Sequence, residues 1–274
     1  MADVFAELLN LVRADRLLGD PRATGESVRV AVLDSGMDAA TLAARHPGHL
    51  PIEGGVFRAD APEPEPYTGQ QSAPHGTTVA DILLTIAPRI RLYSADIFGA
   101  AGGCDVETVI RAMRYVVDVW NAKIVNLSLG VPESRLQPAS RRQALFRAIE
   151  EAYFRDVLVF AAAHNEHPFT RSYPAVFAPP LVSVDKGPFV DPLQFAYRLR
   201  DQIEFQAYPR GYVGPFAREP ATSWATPHLA AIAARLLSLR PDLKPFEIKT
   251  LIYWMTCDRP PQVKHEDGAA DERA

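Results

Sequence analysis

The chain has 274 residues, of which 47% are hydrophobic and 23% are charged, a length and composition typical of a globular protein with a sizeable core. Its formal net charge of -4 at pH 7 gives no electrostatic reason to expect nucleic acid or an anionic membrane as a partner. The sequence also lacks an apolar run of about 18 residues, so no transmembrane helix is predicted.

The first residues and the cysteines favour a reducing compartment. The segment that follows Met1 lacks the basic start, the unbroken apolar core and the cleavage site of an export signal. Cys104 and Cys257 are far apart and have no metal-ligand spacing, so neither a disulfide framework nor a zinc site is indicated. We therefore predict a cytoplasmic protein with no cofactor and no required metal. Cys104 as a nucleophile is an alternative, but a small buried or surface thiol is the interpretation that we favour.

In chain order, residues 1–26 are predicted to form an amphipathic helix, over 3–17, and a lead-in to the main domain. A regulatory arm is the alternative for this segment. Residues 27–34 are an apolar, β-branched run followed by Ser-Gly, which is typical of a buried parallel strand that ends in a tight turn. Asp34 lies at its carboxyl end. The proline-rich segment 58–74 is predicted to be an exposed loop.

Strands and helices alternate through the rest of the main domain, which we predict to span residues 27–257. The predicted strands are 89–98, 123–130, 156–165, 181–184 and 202–208. The predicted helices run from just after His75 to before Pro88, onward from an N-cap at Asp105, over about 139–155, from Ser223 to Leu239, and over 244–257. This alternation predicts an α/β fold, a doubly wound, mostly parallel sheet with helices on both faces. The charged residues 258–274 are predicted to be a disordered tail.

Three polar residues fall where strands end or helices begin, and open α/β sheets collect their sites at such boundaries. They are Asp34, His75 and Ser223. Hydrolysis of an amide needs a nucleophile, a base that takes its proton, and a carboxylate that fixes the tautomer of the base. Singly, each residue has an ordinary structural explanation, as a turn former or a helix cap. Together, they supply one residue of each catalytic kind.

The segments around these residues resemble a known family. VAVLDSG, PHGTTVADI and ATSWATPHLA each resemble a motif of the subtilisin-like serine proteases, in that family's chain order of aspartate, histidine and serine. The resemblance extends to NLSLG, AAAHNE, SYPA and YPRG and covers residues 27–240. It implies a subtilisin-like fold and a serine endopeptidase that acts on polypeptide substrates.

The resemblance also implies the individual residues of the site. The catalytic residues would be Asp34, His75, Ser223 and, in the oxyanion hole, Asn165. The substrate-binding residues would be Ser128, Leu129, Gly130, Ala163 and His164. The first three of these would pair through their backbone with an extended peptide. The remaining histidines have no matching role, and His228 is predicted to be structural.

Two residues depart from the family's pattern. The family places glycine before the oxyanion asparagine and before the Thr-Ser pair of the nucleophile motif, whereas this chain has His164 and Ala221. If either position needed a positive φ, a Cβ there would cost on the order of 1 kcal/mol and could misaim a donor to the oxyanion. We therefore expect His164→Gly and Ala221→Gly each to raise kcat. Alternatively, His164 lines the substrate pocket and, with Glu166, favours a polar or basic substrate side chain.

The leading hypothesis is a cytoplasmic serine endopeptidase with a restricted set of polypeptide substrates, such as a specific precursor or a regulator. Because the first predicted strand begins at residue 27, the long pro-domain of secreted relatives is expected to be absent. The alternative is a weak or inactive homologue that binds extended peptides. A nucleotide-binding protein is excluded because residues 99–105 lack both phosphate-loop and dinucleotide spacing. The oligomeric state is not predicted.

Overall fold

The computed structural model describes residues 14–98, 103–217 and 219–257. Within them the strands are β1 (Arg29–Asp34), β2 (Glu53–Val56), β3 (Glu65–Pro66), β4 (Arg91–Asp96), β5 (Ile124–Leu127), β6 (Leu158–Ala162), β7 (Val182–Lys186), β8 (Phe195–Arg200) and β9 (Ile203–Ala207). The α-helices are α1 (Ala14–Gly19), α2 (Ala39–Arg45), α3 (Pro74–Ile86), α4 (Val106–Asp118), α5 (Ala139–Phe154), α6 (Thr222–Leu239) and α7 (Pro245–Trp254).

These strands form one sheet with the order β3-β2-β4-β1-β5-β6-β7-β9-β8. The edge strands β3 and β8 run antiparallel to their neighbours, and the other pairs are parallel. The strand order reverses at β1, which lies between β4 and β5. Such a reversal opens a crevice at the carboxyl ends of the strands, where ligands of open α/β sheets bind. The predicted doubly wound, mostly parallel sheet is confirmed.

Helices cover both faces of the sheet. Successive side chains of β1 point to opposite faces, so Val30 and Val32 join the core that contains α3 and α6, whereas Ala31 and Leu33 join the core that contains α4 and α5. All four side chains are at most 1% exposed. Burial on both faces explains why this strand is an unbroken apolar run and not an alternating one.

The helix α6 lies at the centre of the domain, where it packs on β5, β6 and β7 and against α3. Its alanines include four fully buried residues, Ala230, Ala231, Ala233 and Ala234. A helix that is apolar on all sides is typical of a core position. The sheet therefore holds the start of α6 in a fixed place near the carboxyl ends of β5 and β6.

The structure also corrects several sequence-based boundaries. The helix α3 begins at Pro74 and not after His75, because proline is favoured at the first helical position, where its missing N–H is not needed. The strand β3 lies within the segment 58–74 that was predicted to be a loop. The strands β2 and β8 and the helix α2 were not predicted. They are short or lie near the sheet edge, and Gly54 and Gly55 weaken the strand pattern of β2.

Other expectations have mixed outcomes. Asp105 is the N-cap of α4, and its carboxylate accepts a hydrogen bond from the N–H of Thr108 at 2.7 Å, as predicted. Most of the predicted helix over 3–17 lies outside the described residues, and so does the whole of the predicted tail 258–274. Within the described part of the chain, no helix has both the length and the apolar character needed to cross a bilayer.

Candidate active site

Asp34 and His75 form a close pair at the carboxyl edge of the sheet. Asp34 ends β1 and is 2% exposed, and His75 is the second residue of α3. The Nδ1 atom of His75 lies 2.8 Å and 2.9 Å from the two carboxylate oxygens of Asp34. Because an ionised carboxylate only accepts hydrogen bonds, Nδ1 carries the proton when the imidazole is neutral. The Nε2 atom then has the free lone pair that a general base needs.

Ser35 connects the end of β1 to the start of α3. Its N–H donates to Asp34 at 2.7 Å, its hydroxyl donates to the carbonyl of Ala73 at 2.8 Å, and the same hydroxyl accepts from the N–H of Gly76 at 3.1 Å. The N–H of Gly76 lies in the first turn and has no acceptor within the helix, so the Ser35 hydroxyl supplies one. These bonds also hold His75 against the carboxylate.

Glycine is required directly after the histidine. A Cβ at Gly76 would lie 2.2 Å from the carbonyl oxygen of Gly36, so any larger residue would push α3 away from the turn after β1. The His-Gly pair of the motif therefore has a packing reason, namely the close approach of a helix to a backbone turn.

The electrostatics of the pair favour the protonated imidazole. Burial lowers the pKa of His75, but the charge of Asp34 and its hydrogen bond to Nδ1 outweigh that effect and raise the pKa above its ordinary value of 6.5. A buried carboxylate that stabilises the imidazolium has this effect in general.

Ser223 is the second residue of α6, after the N-cap Ala221. Its half-buried hydroxyl donates to the carbonyl of Ser128 at 3.2 Å. The next residue, Trp224, packs against His75 with 4.8 Å between the ring centroids, so the two helix starts meet here. Between these described side chains, no hydrogen bond joins Ser223 to His75. Rotation of the Ser223 side chain away from Ser128 would be needed to form one, and catalytic hydrogen bonds are often not formed without a ligand.

Asn165 follows β6 and reaches the start of α6. Its Oδ1 atom accepts hydrogen bonds from the N–H of Thr222 at 2.9 Å and from the Thr222 hydroxyl at 3.2 Å. The Thr222 N–H belongs to the first helical turn and has no acceptor within the helix, so it fixes which end of the amide is the oxygen. The Nδ2 group is left as a donor on an exposed residue beside Ser223.

The predicted substrate-binding backbone follows directly after β5. Ser128 is 3% exposed, Leu129 is half-buried and Gly130 is exposed. A Cβ at Gly130 would lie 1.8 Å from the hydroxyl oxygen of Ser172, so glycine is the residue that fits without movement of that serine. Of these three residues only Gly130 is exposed, and a backbone segment that continues from a strand in this way is one with which an extended peptide can pair.

The other two predicted substrate-binding residues have clear local roles. The N–H of Ala163 donates to the carbonyl of Val184 at 2.8 Å, so this N–H is used within the sheet. The side chain of His164 is 40% exposed, and its Nδ1 accepts a hydrogen bond from the N–H of Glu166 at 3.1 Å. His164 therefore stabilises the turn that carries Asn165.

The expectation of backbone strain at His164 and Ala221 is wrong. Ala221 has φ -144 and ψ 153, an extended conformation that any residue adopts. His164 is not among the described non-glycine residues with a positive φ. Since neither side chain forces an unfavourable backbone, the expectation that His164→Gly and Ala221→Gly raise kcat has no physical basis.

Two residues outside the site behave as the sequence predicted. His228 is 1% exposed; its Nδ1 donates to the carbonyl of Trp224 at 2.6 Å and its Nε2 accepts from the hydroxyl of Tyr212 at 2.7 Å. Burial lowers the pKa of His228 to about 4, so it is a neutral, structural histidine. Burial raises the pKa of Cys104 to about 12, and a thiol of that kind is a poor nucleophile.

Sequence reasoning missed the supporting side chains Ser35 and Thr222. Each lies beside a predicted catalytic residue within a recognised motif, so the signal was a hydroxyl at a strand end or a helix start.

Within residues 14–98, 103–217 and 219–257, no three His, Cys, Asp or Glu side chains group where they could hold a metal ion. The absence of a required metal stays a prediction.

Comparisons with known proteins match one protein family over most of the chain. The family model described as the subtilase family matches residues 25–185 and 205–270. M-protease of Shouchella clausii (strain KSM-K16) is 30% identical over 251 residues, which cover 82% of this chain and 58% of M-protease. Subtilisin Savinase of Lederbergia lenta is also 30% identical over 251 residues, covering 82% of each chain. The chain thus spans less than two thirds of the length of M-protease.

A solved structure described as S41 psychrophilic protease superposes with a TM-score of 0.66 and 21% identity, covering 84% of this chain and 83% of that one. At this identity the likeness concerns the fold, and it agrees with the mostly parallel sheet and its covering helices.

Proposed function

The chain belongs to the subtilase family, and from this premise we propose that it is a serine endopeptidase with Asp34, His75 and Ser223 as its catalytic triad. The observation that carries the proposal is the contact of His75 Nδ1 with both oxygens of the buried Asp34 carboxylate, directly beside the helix start that bears Ser223. A tautomer fixed in this way is the requirement for a histidine base.

In the proposed reaction, Ser223 Oγ attacks the carbonyl carbon of the peptide bond while His75 Nε2 takes the hydroxyl proton. The carbonyl oxygen becomes an oxyanion, to which Asn165 Nδ2 and the Ser223 N–H donate hydrogen bonds. His75 then gives its proton to the leaving amine as the C–N bond breaks, which leaves an acyl-enzyme. Water repeats the sequence on the ester, releases the acid product and restores the Ser223 hydroxyl.

The pH dependence of this reaction follows from the raised pKa of His75. We expect kcat/KM to rise with pH along a limb whose midpoint lies above 6.5. Only the neutral imidazole can accept the serine proton, and its fraction grows as the pH rises through the raised pKa. Rates measured with one peptide from about pH 5 to about pH 9 locate the limb. A midpoint below 6.5 would show that Asp34 does not control His75 in this way.

Asn165→Ala is expected to lower kcat by about 100- to 1000-fold with little change in KM, because the lost donor acts on the oxyanion and not on the bound substrate. Steady-state kinetics on one peptide give both constants. Asn121→Gly is the matched control. Asn121 precedes β5 and has a φ of 51, a backbone angle that glycine adopts without strain. The activity of this variant should equal that of the wild type. An Asn165 variant with a normal kcat would remove this residue from the oxyanion hole.

A second candidate function is a peptide-binding homologue that does not cleave. The observation that favours it is the hydrogen bond of the Ser223 hydroxyl to Ser128 instead of to His75. Two observations argue against this second candidate, namely the contact between His75 and Asp34 and the orientation of the Asn165 amide. Peptide binding needs neither of them.

Hydrolysis separates the two candidates. The full chain is incubated with an unfolded polypeptide and with a quenched fluorescent peptide library, and Ser223→Ala is run in parallel. New amino termini that form with the wild type and not with the variant support the protease. Binding of the peptides by both proteins, without cleavage by either, supports the second candidate.

We also propose a cytoplasmic location and a restricted set of substrates, such as a specific precursor or a regulator. Both Cys104 and Cys257 are free thiols, the state that a reducing compartment maintains. Fractionation of cells that contain the tagged chain tests the location. Comparison of amino termini between cells with the wild type and cells with Ser223→Ala tests the breadth of the substrate set, and cleavage of most proteins present would contradict a restricted set.

A further inference from the structure

The carbonyl of Ser223 lacks the partner that a helix normally provides. In an α-helix the carbonyl of residue i accepts from the N–H of residue i+4, which for Ser223 is residue 227. That residue is Pro227, inside α6, and proline has no N–H. The chain therefore leaves the carbonyl of the proposed nucleophile without its usual i+4 donor, in the first turn of a buried helix.

The hydroxyl of Ser128 takes the place of the missing donor. Its Oγ donates to the Ser223 carbonyl oxygen at 2.8 Å, from a side chain at the carboxyl end of β5 that is 3% exposed. The amide Nδ2 of Asn126, a residue with no exposed surface, donates to the same Oγ at 2.9 Å. Since Asn126 supplies a donor, the single proton of the Ser128 hydroxyl is directed to Ser223.

We propose that the side chain of Ser128 is a positioning residue for Ser223, and that Pro227 makes the Ser223 carbonyl available to it. This inference rests on the proposed function. Two consecutive residues at the start of α6 are then each held by a side chain that follows one of two neighbouring strands. Asn165, after β6, accepts from the N–H of Thr222, and Ser128, after β5, donates to the carbonyl of Ser223.

This role differs from the proposed pairing of Ser128 with substrate. Pairing with an extended peptide uses the backbone of Ser128, which a side-chain substitution leaves in place. Loss of the hydroxyl should therefore lower kcat, through misplacement of the nucleophile, while KM stays near its wild-type value. The pH midpoint of kcat/KM should also stay, because the contact between His75 and Asp34 is not touched.

The test is a cycle of Ser128→Ala, Pro227→Ala and the double variant, measured as kcat and KM on one peptide. Ser128→Ala is expected to lower kcat about tenfold, the scale of one lost hydrogen bond. Pro227→Ala restores an N–H to position 227. The double variant should therefore regain at least about threefold in kcat over Ser128→Ala, a coupling that independent sites do not show.

Ser183→Ala is the matched control, since Ser183 is a fully buried serine of β7 whose hydroxyl donates to the carbonyl of Gln202 at 3.2 Å. It should lower the melting temperature and leave kcat unchanged. If Ser128→Ala does not fold, Ser128→Cys, with a weaker donor of similar shape, takes its place in the cycle.

The outcomes separate this inference from the function on which it rests. A wild-type chain that neither cleaves peptides nor reacts with a serine-directed probe overturns both. An active wild type with an equally active Ser128→Ala overturns the positioning role alone. So does a loss of kcat that Pro227→Ala fails to relieve, because a hydroxyl that only fills space would behave in this way.

Discussion

His75→Ala is expected to lower kcat for peptide hydrolysis by about 10⁴- to 10⁶-fold, the range measured for triad members of subtilisin-type enzymes. Without the imidazole, no group remains to take the Ser223 proton during attack or to protonate the leaving amine. The residual rate should come from substrate binding and the oxyanion donors, and KM should change little. Steady-state kinetics, with a sensitive fluorogenic peptide, measure the loss.

The control for this prediction is His49→Ala. His49 is a half-buried histidine whose Nε2 lies 2.9 Å from the carbonyl of Ile90, just before β4 begins, at the opposite end of the strands from Asp34. It should keep the wild-type kcat. Thermal unfolding of both variants shows whether the fold persists. A folded His75→Ala protein with more than a tenth of the wild-type rate would remove His75 as the base.

Asp34→Asn is expected to lower kcat by about 10⁴-fold with the fold retained, because an amide can donate to Nδ1 and so stabilise the wrong tautomer of His75. It should also move the acidic limb of the pH profile to a lower pH. The charge and the hydrogen bond of Asp34 raise the pKa of His75, and burial, which lowers it, remains when they are removed.

The measurement is kcat/KM as a function of pH for the wild type and for Asp34→Asn. Asp156→Asn is the control, since Asp156 precedes β6 with φ 59, a conformation that asparagine tolerates, and lies far from the carboxyl edge. It should match the wild type in both rate and midpoint. An unchanged midpoint in Asp34→Asn, with activity reduced, would mean that Asp34 acts on stability and not on His75.

Much of the fold could be predicted from local patterns. The apolar run at 27–34 predicted β1 because a strand buried on both faces needs no polar positions. The alanine-rich segment after Ser223 predicted α6 because a central helix is apolar on all sides. In both cases the pattern is a run of apolar residues that become buried on folding, and such a run can be recognised in the sequence itself.

The parts that were missed depend on partners distant in the sequence. The strand β2 contains Gly54, whose missing side chain lets Ser94 of β4 approach: a Cβ there would lie 2.2 Å from the Ser94 carbonyl oxygen. No local pattern of β2 reveals that approach. The edge strand β8 likewise depends on β9 for its pairing.

In the site, too, features that depend on a short segment could be predicted, whereas features that depend on the folded backbone or on distant residues could not. The motif residues themselves were read from their segments, but the conformations at His164 and Ala221 were not. A family preference for glycine suggested a positive φ that the backbone does not have. The relation between Ser128 and Pro227 could not be predicted from the sequence either. Ser128 lies at a strand end and Pro227 in a helix 99 positions later, and the two are connected only through the carbonyl of Ser223.

Covalent labelling tests the central claim, an activated Ser223, most directly. A fluorophosphonate probe forms an O–P bond with an activated serine as the P–F bond breaks and fluoride leaves, while the histidine base takes the serine proton. Intact mass and peptide mapping of the full chain should show one adduct, on Ser223, and Ser223→Ala should remain unmodified. A wild-type chain that stays unlabelled, or a label on a different serine in both proteins, would contradict the account.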